Sequence, residues 1–163
     1  MRSVNVKEHL KLSFIYAAVA AVPPVIQVLI QPIIEGRNRL SAPDFAQIGM
    51  AEMVTSLAFT ISLFSMGNAI SRFFYDVDDD PKRYNSLVSS VYSSILLRGF
   101  LILILAFVFR NYIGNLFSQE GLQNFNTYGF AAIITGINRS INISAATLFR
   151  NEKRVKAFII VNL

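Results

Sequence analysis

Long runs of apolar residues alternate with short polar stretches along all 163 residues. A helix needs about 20 predominantly apolar residues to cross the hydrocarbon of a bilayer. Four runs reach that length: Leu12 to Ile34, Phe45 to Ile70, Leu87 to Phe109 and Tyr128 to Phe149. The first carries no charge, and each of the others carries one, at Glu52, Arg98 and Arg139. A fifth run begins near Val155 and extends only to Leu163. The pattern predicts an all-α fold, a polytopic transmembrane helix bundle with four full spans plus the start of a fifth. These form one transmembrane unit over residues 1–163.

The polar stretches carry helix-start signals. Ser41 and Asp44 have capping-box spacing before the second run, and Asp80-Pro81 places an N-cap before a proline at the first helical position. The segment "RNYIGNLFSQEGLQNFN" holds two glycines and is expected to include a short helix at the membrane interface. A basic start and the Ala18-Val19-Ala20 triplet look like a cleavable leader. The apolar stretch before the triplet is short, however, and the run continues well past it, so it reads as a span.

Composition narrows the class. Hydrophobic residues make up 53% of the chain and charged residues only 15%, against roughly 25% charged in a soluble domain. The net charge of +5 is spread in small groups between apolar runs, with no basic face or aromatic-basic motif, which argues against a nucleic-acid partner. Lys and Arg are biased to one set of loops. Arg2, Lys7, Lys11, Arg72, Lys82, Arg83, Arg150, Lys153, Arg154 and Lys156 stand against Arg37, Arg39 and Arg110. By the positive-inside rule the N-terminus is cytoplasmic, in a multi-pass protein.

The chain has no cysteine and a single histidine, His9, in the polar N-terminal segment. Thiolate and imidazole chemistry are therefore absent, and no catalytic residue, metal site or cofactor is assigned. Asp76, Asp78, Asp79 and Asp80 include the Asp-x-Asp spacing used by some metal-dependent glycosyltransferases. The spacing is common in acidic loops, and a solvated loop with a helix cap accounts for it.

Arg98 lies eleven residues from either end of its run, about 16 Å at helical rise, so it falls near the bilayer midplane. Arg139 is equally deep. An arginine at a helix centre costs at least ~2.5–3.5 kcal/mol on insertion scales, so each needs a wet or paired environment. Ser86, Ser90, Ser94 and Arg98 recur every four residues, and Thr135, Asn138, Arg139 and Asn142 share one broad face. Two readings follow. The polar faces line a water-accessible cavity, with Arg98, Arg139, Ser90, Ser94, Asn138 and Asn142 contacting an anionic substrate, or Arg98 pairs with Glu52 and ties helices together. Pro23-Pro24, midway along the first run, is either a hinge or a static bend.

Three stretches bring in a family. "LSAPDFAQIGM", "SMGNAISRFFYDVDDDPKRYNSLVSSV" and "AATLFRNEKRVKAF" resemble, in turn, the element after the first helix, the passage from the second helix into the third, and the basic fourth-to-fifth loop of polysaccharide-biosynthesis (O-antigen and exopolysaccharide) flippases. These belong to the multidrug/oligosaccharidyl-lipid/polysaccharide exporter superfamily. The resemblance covers most of the chain through degenerate motifs. It implies a MATE-like fold of two helix bundles, of which this chain is the opening portion. It also implies alternating-access transport of an undecaprenyl-diphosphate-linked oligosaccharide across the inner membrane. Partners implied are that lipid-linked oligosaccharide, membrane lipids, and a polysaccharide polymerase and chain-length regulator.

Rival readings remain. A multidrug antiporter of the same superfamily would use an intramembrane carboxylate for ion coupling, for which Glu52 is the sole acidic candidate in the spans. A lipid II flippase would share the cationic cavity. A membrane glycosyltransferase would work through Asp76 and Asp78, and a non-transporting membrane subunit would need none of these residues.

Overall fold

The computed structural model describes residues 6–34, 40–77, 79–117 and 120–162. Every regular element among them is a helix: α1 (Val6–Ile34), α2 (Ala42–Leu63), α3 (Met66–Val77), α4 (Pro81–Asn115), α5 (Glu120–Gln123), α6 (Phe125–Asn151) and α7 (Val155–Asn162). Three stretches are long and apolar enough to cross a membrane, Leu10–Ile33, Pro43–Val77 and Pro81–Asn115, which makes this a membrane protein. The expected fourth span, α6, has 27 residues, ~40 Å at helical rise. It falls outside that apolar set because Asn, Ser, Thr, Gly and Arg139 interrupt it.

Expected start signals are present. The Asp44 carboxylate accepts the Ser41 N–H at 2.7 Å and its hydroxyl at 2.6 Å. Asp80 accepts the N–H groups of Lys82 and Arg83 at 3.0 and 3.3 Å, with Pro81 opening α4. A short helix, α5, does lie between the third and fourth runs. Helix α1 runs unbroken through Pro23, Pro24 and Pro32.

One expectation is corrected. The run from Phe45 to Ile70 is not a single helix. It breaks at Phe64 and Ser65, both left-handed, with φ of 30° and 64°. Two consecutive non-glycine residues in that region cost roughly 1–2 kcal/mol each. Local hydrogen bonds offset part of this: Phe64 N–H donates to the Thr60 carbonyl, and the Ser65 carbonyl accepts from Ala69, both at 3.0 Å. Beyond the break, α3 buries Ile70 and Phe74 and exposes Arg72, Phe73 and Tyr75.

Helix α6 is the hub, packing on α2, α3, α4 and α7. Its inward stripe, Ala132, Gly136, Ser140 and Ser144, repeats every four residues and is buried. This small-residue repeat lets two helices approach closely where lipid supplies no hydrophobic drive. A side chain at Gly136 would lie 2.5 Å from the Thr55 carbonyl oxygen and 2.9 Å from Ala58 Cβ. Two hydroxyls bridge the crossing in opposite directions: Thr55 donates to the Ala132 carbonyl and Ser140 to the Phe59 carbonyl, each at 3.1 Å. Gly99 of α4 fits against the side chain of Ile137.

Contacts also align the helix ends. The Tyr84 hydroxyl donates to Glu152, whose carboxylate also pairs with Arg154 at 3.3 Å. The start of α4 is thus tied to the end of α6, so Lys82, Arg83, Arg150, Lys153 and Arg154 share one end of the bundle. Helix α1 meets α7 through an edge-to-face contact of Tyr16 with Phe158, ring centres 4.7 Å apart.

Gly136→Ala is expected to cost about 1–3 kcal/mol, because the neighbour that must move is backbone. Thr55→Val is expected to cost nearer ~0.6 kcal/mol, a typical membrane hydrogen bond. Thermal unfolding in detergent, followed by helical circular dichroism, checks both. Equal stability of Gly136→Ala and the wild type would mean that α2 and α6 are not held at this distance.

Candidate functional site

Turning the small stripe of α6 onto α2 leaves the neighbouring face free. That face carries Thr135, Asn138, Arg139 and Asn142, and all four line a cleft of about 700 Å³ between α1, α6 and α7. The opposite wall is Ala20, Pro23, Pro24 and Gln27 of α1, and the end of α7 closes it with Val161 and Asn162. The fourth-run polar face and the proline pair, assigned separately from the sequence, thus meet in one place. Asn138, Arg139 and Asn142 are exposed to the cleft, and the Arg139 guanidinium sits 5.0 Å above the Phe59 ring. A proline at position i leaves the i−4 carbonyl without its helical donor. Pro24 does this to Ala20, so the cleft wall offers a backbone acceptor beside the side-chain amides.

Arg98 is placed elsewhere. It is the midpoint of α4, half-buried, with its guanidinium 5.1 Å above the Phe64 ring at the helix break. Its Nη1 is fully buried and has no hydrogen-bond partner. Ser94 is half-buried beside it, and Ser90 is exposed one turn further along. Val91, Ile95 and Gly99 are the residues that α4 turns inward. None of Arg98, Ser90 and Ser94 lines the Arg139 cleft. The six expected substrate residues therefore fall into two groups, at Phe59 and at Phe64, five residues or ~7.5 Å apart along α2.

The pairing of Arg98 with Glu52 does not occur. Arg98 rests on Phe64, twelve residues or ~18 Å along α2 from Glu52, beyond a side chain's reach. Glu52 lies instead in a groove with Gln27 and Gln31 of α1. Of the acidic loop, Asp78 is outside the described residues, Asp76 and Asp79 are exposed, and Asp80 caps α4. No group of three metal-capable side chains occurs among the described residues. The His9 side chain is likewise outside what is described.

Sequence reading missed Phe59, Phe64 and Gln27. The phenylalanines carry no signal, being two of fourteen in the chain. Gln27 and Gln31 did carry one: two amides at i, i+4 in a charge-free run, on one helix face.

The absence of native cysteine gives a clean background for accessibility. In membranes, cysteine at Asn138 or Asn142 is expected to react with a charged thiol reagent at least about tenfold faster than cysteine at Leu101, since the reactive thiolate forms in water. Leu101 is exposed on an apolar stretch of α4. Equal rates at the three positions would show that the cleft is dry.

Compared with known proteins, the chain matches no family model, no curated protein and no solved structure.

Proposed function

We propose that this chain forms the opening helices of a flippase in the inner membrane. Its cargo would be an undecaprenyl-diphosphate-linked oligosaccharide, moved outward by alternating access through a cationic cavity. In this reading α6 is the fourth crossing, α7 opens the fifth, the N-terminus is cytoplasmic, and the whole belongs to the first bundle of a MATE-like fold. A polymerase and a chain-length regulator would act on the product.

The observation that carries the reading is the α1–α6–α7 cleft. Among its lining residues Arg139 alone is charged, and it is set among the amides of Gln27, Asn138, Asn142 and Asn162. A guanidinium binds phosphate through paired, charge-assisted hydrogen bonds. Carboxamides match sugar hydroxyls, donating and accepting at once. The volume of about 700 Å³ lies within the ~300–1,000 Å³ of small-molecule pockets, so the cleft would hold the diphosphate and nearby sugar, not an entire repeat unit. Arg98, with its unpaired buried nitrogen, and Ser90 and Ser94 would form a second contact at the helix break.

Binding to the purified protein in lipid nanodiscs tests this directly. Polyprenyl diphosphate is expected to outcompete the uncharged polyprenol. Arg139→Ala should weaken diphosphate binding by about 10–100-fold, the loss of one charged hydrogen bond of ~1.5–3 kcal/mol, with Arg139→Lys intermediate. Equal binding of diphosphate and alcohol by the wild type would sink the reading. In a flippase-deficient strain, the same substitutions should reduce surface polysaccharide at unchanged protein level.

A further inference from the structure

We propose that Tyr16 and Phe158 form a gate at one end of the Arg139 cleft, and that Arg150, just beyond it, draws anionic head groups toward the opening. The inference rests on the flippase reading, which makes that cleft the cargo site.

At its Arg150 end the cleft is lined by Ala20 on α1, Asn142 on α6 and Asn162 on α7. One helical turn beyond Ala20 stands Tyr16, and one turn beyond Asn162 stands Phe158. Positions 16, 20, 23 and 27 recur at intervals of four, three and four, so Tyr16 shares the face of α1 that lines the cleft. There the two rings meet edge to face, their centres 4.7 Å apart, with Phe158 buried and Tyr16 half-buried. Walls that stand apart around Arg139 are thus in contact one turn away. On α6 the residue four beyond Asn142 on the same face is Ala146. It offers only a methyl group, so the ring pair is what closes this end.

Four residues further on, that face of α6 presents Arg150, which is exposed. It lies eleven residues from Arg139, three turns or ~16 Å along the same side of the helix. Its charge acts on the Tyr16 hydroxyl across the helix boundary. Lys153, Arg154 and Lys156 are exposed around it, with Arg154 paired to Glu152. A cluster of one sign raises the local concentration of the opposite charge. Anions therefore gather at this end of the bundle, and the ring pair stands between them and Arg139.

The pair is suited to opening. The membrane stretch of α1 is not buried by the rest of the chain, so its hold on α7 depends largely on this contact. A single aromatic pair shifts an equilibrium by about 2–10-fold, which leaves the open state populated. The other side of the bundle is fixed by the Gly136 crossing, so movement falls to α1.

The test labels a cysteine placed at Asn142, in the cysteine-free background, in membrane vesicles with no cargo present. Membrane-impermeant thiol reagents of opposite charge are added from the face carrying Arg150, identified by the labelling of Lys156→Cys. Tyr16→Ala is expected to speed labelling by the anionic reagent about 2–10-fold, the range of one aromatic pair, and Tyr16→Phe to restore the slower rate. Because Tyr16 is only half-buried, its truncation leaves the core intact, which helical circular dichroism checks. Arg150→Ala is expected to slow the anionic reagent and not the cationic one. A wild-type rate in Tyr16→Ala with retained helicity, or an equal change for both reagents in Arg150→Ala, overturns the inference. Either failure would leave diphosphate binding at Arg139 standing, and a failed diphosphate assay would leave the gate standing.

Discussion

The close crossing of α2 and α6 governs the arrangement of everything else. At Gly136 the backbone of α6 comes so near α2 that a single methyl group would meet the Thr55 carbonyl. In lipid, apolar side chains gain little by leaving one hydrocarbon for another, so helices associate through tight van der Waals contact and interhelical hydrogen bonds. The stripe of Ala132, Gly136, Ser140 and Ser144 supplies the first, and the Thr55 and Ser140 hydroxyls supply the second. Once this stripe is committed to α2, the rotation of α6 is fixed. Thr135, Asn138, Arg139 and Asn142 then face the α1–α7 side with no further instruction. The same fact explains why α6 is less apolar than the other long helices. Nine of its residues are buried by protein, whereas none of the α1 stretch is. A helix shielded from lipid by its neighbours needs less hydrocarbon on its surface.

The break at Phe64 and Ser65 is the second constraint, and it depends on the first. Non-helical backbone at membrane depth is tolerated where protein or a water-filled cavity covers it. Here α6 lies against α2 up to the break, and beyond it a side chain at Gly67 would stand 4.0 Å from the Thr147 hydroxyl. On its other side the guanidinium of Arg98 stacks on Phe64. The last carbonyls of α2 lack helical donors and carry partial negative charge, which favours a cation nearby. Arg98 thus has an electrostatic reason to stand at a helix end that a continuous span would not have given it.

Much of this was legible in the sequence, because it rests on local rules. Apolar run length marked the long helices, Asp80-Pro81 and Ser41/Asp44 marked two starts, and the fifth run began where α7 begins at Val155. The places of Arg98 and Arg139 midway along α4 and α6 followed from counting residues. Facing was the harder quantity. The serine stripe of α4 suggested that its polar side turns inward, yet Val91, Ile95 and Gly99 are the residues packed inside. Apolar and small residues decided the rotation there, and the serines followed at the flank. On α6 the four polar residues line one cleft together because the small stripe and the polar face are distinct. The break left no clear mark: "FSMGN" contains one glycine, Gly67, and the left-handed residues are Phe64 and Ser65 ahead of it.

Helix α1 occupies a different position in this economy of contacts. Its membrane stretch is not buried by the rest of the chain, and its main contact is with α7 through Tyr16 and Phe158. It nevertheless supplies one wall of the Arg139 cleft and one wall of the Glu52 groove. Prolines at 23, 24 and 32 remove three helical donors from it, leaving carbonyls a turn earlier without their usual partners. A helix held at one point and weakened in its own ladder tilts more readily than α2 or α6, which are locked at Gly136. Any such tilt alters both recesses together, since Gln27 borders each. The rigid crossing and the loosely held helix are therefore complementary: one fixes where Arg139 and Glu52 stand, and the other sets how much room each has.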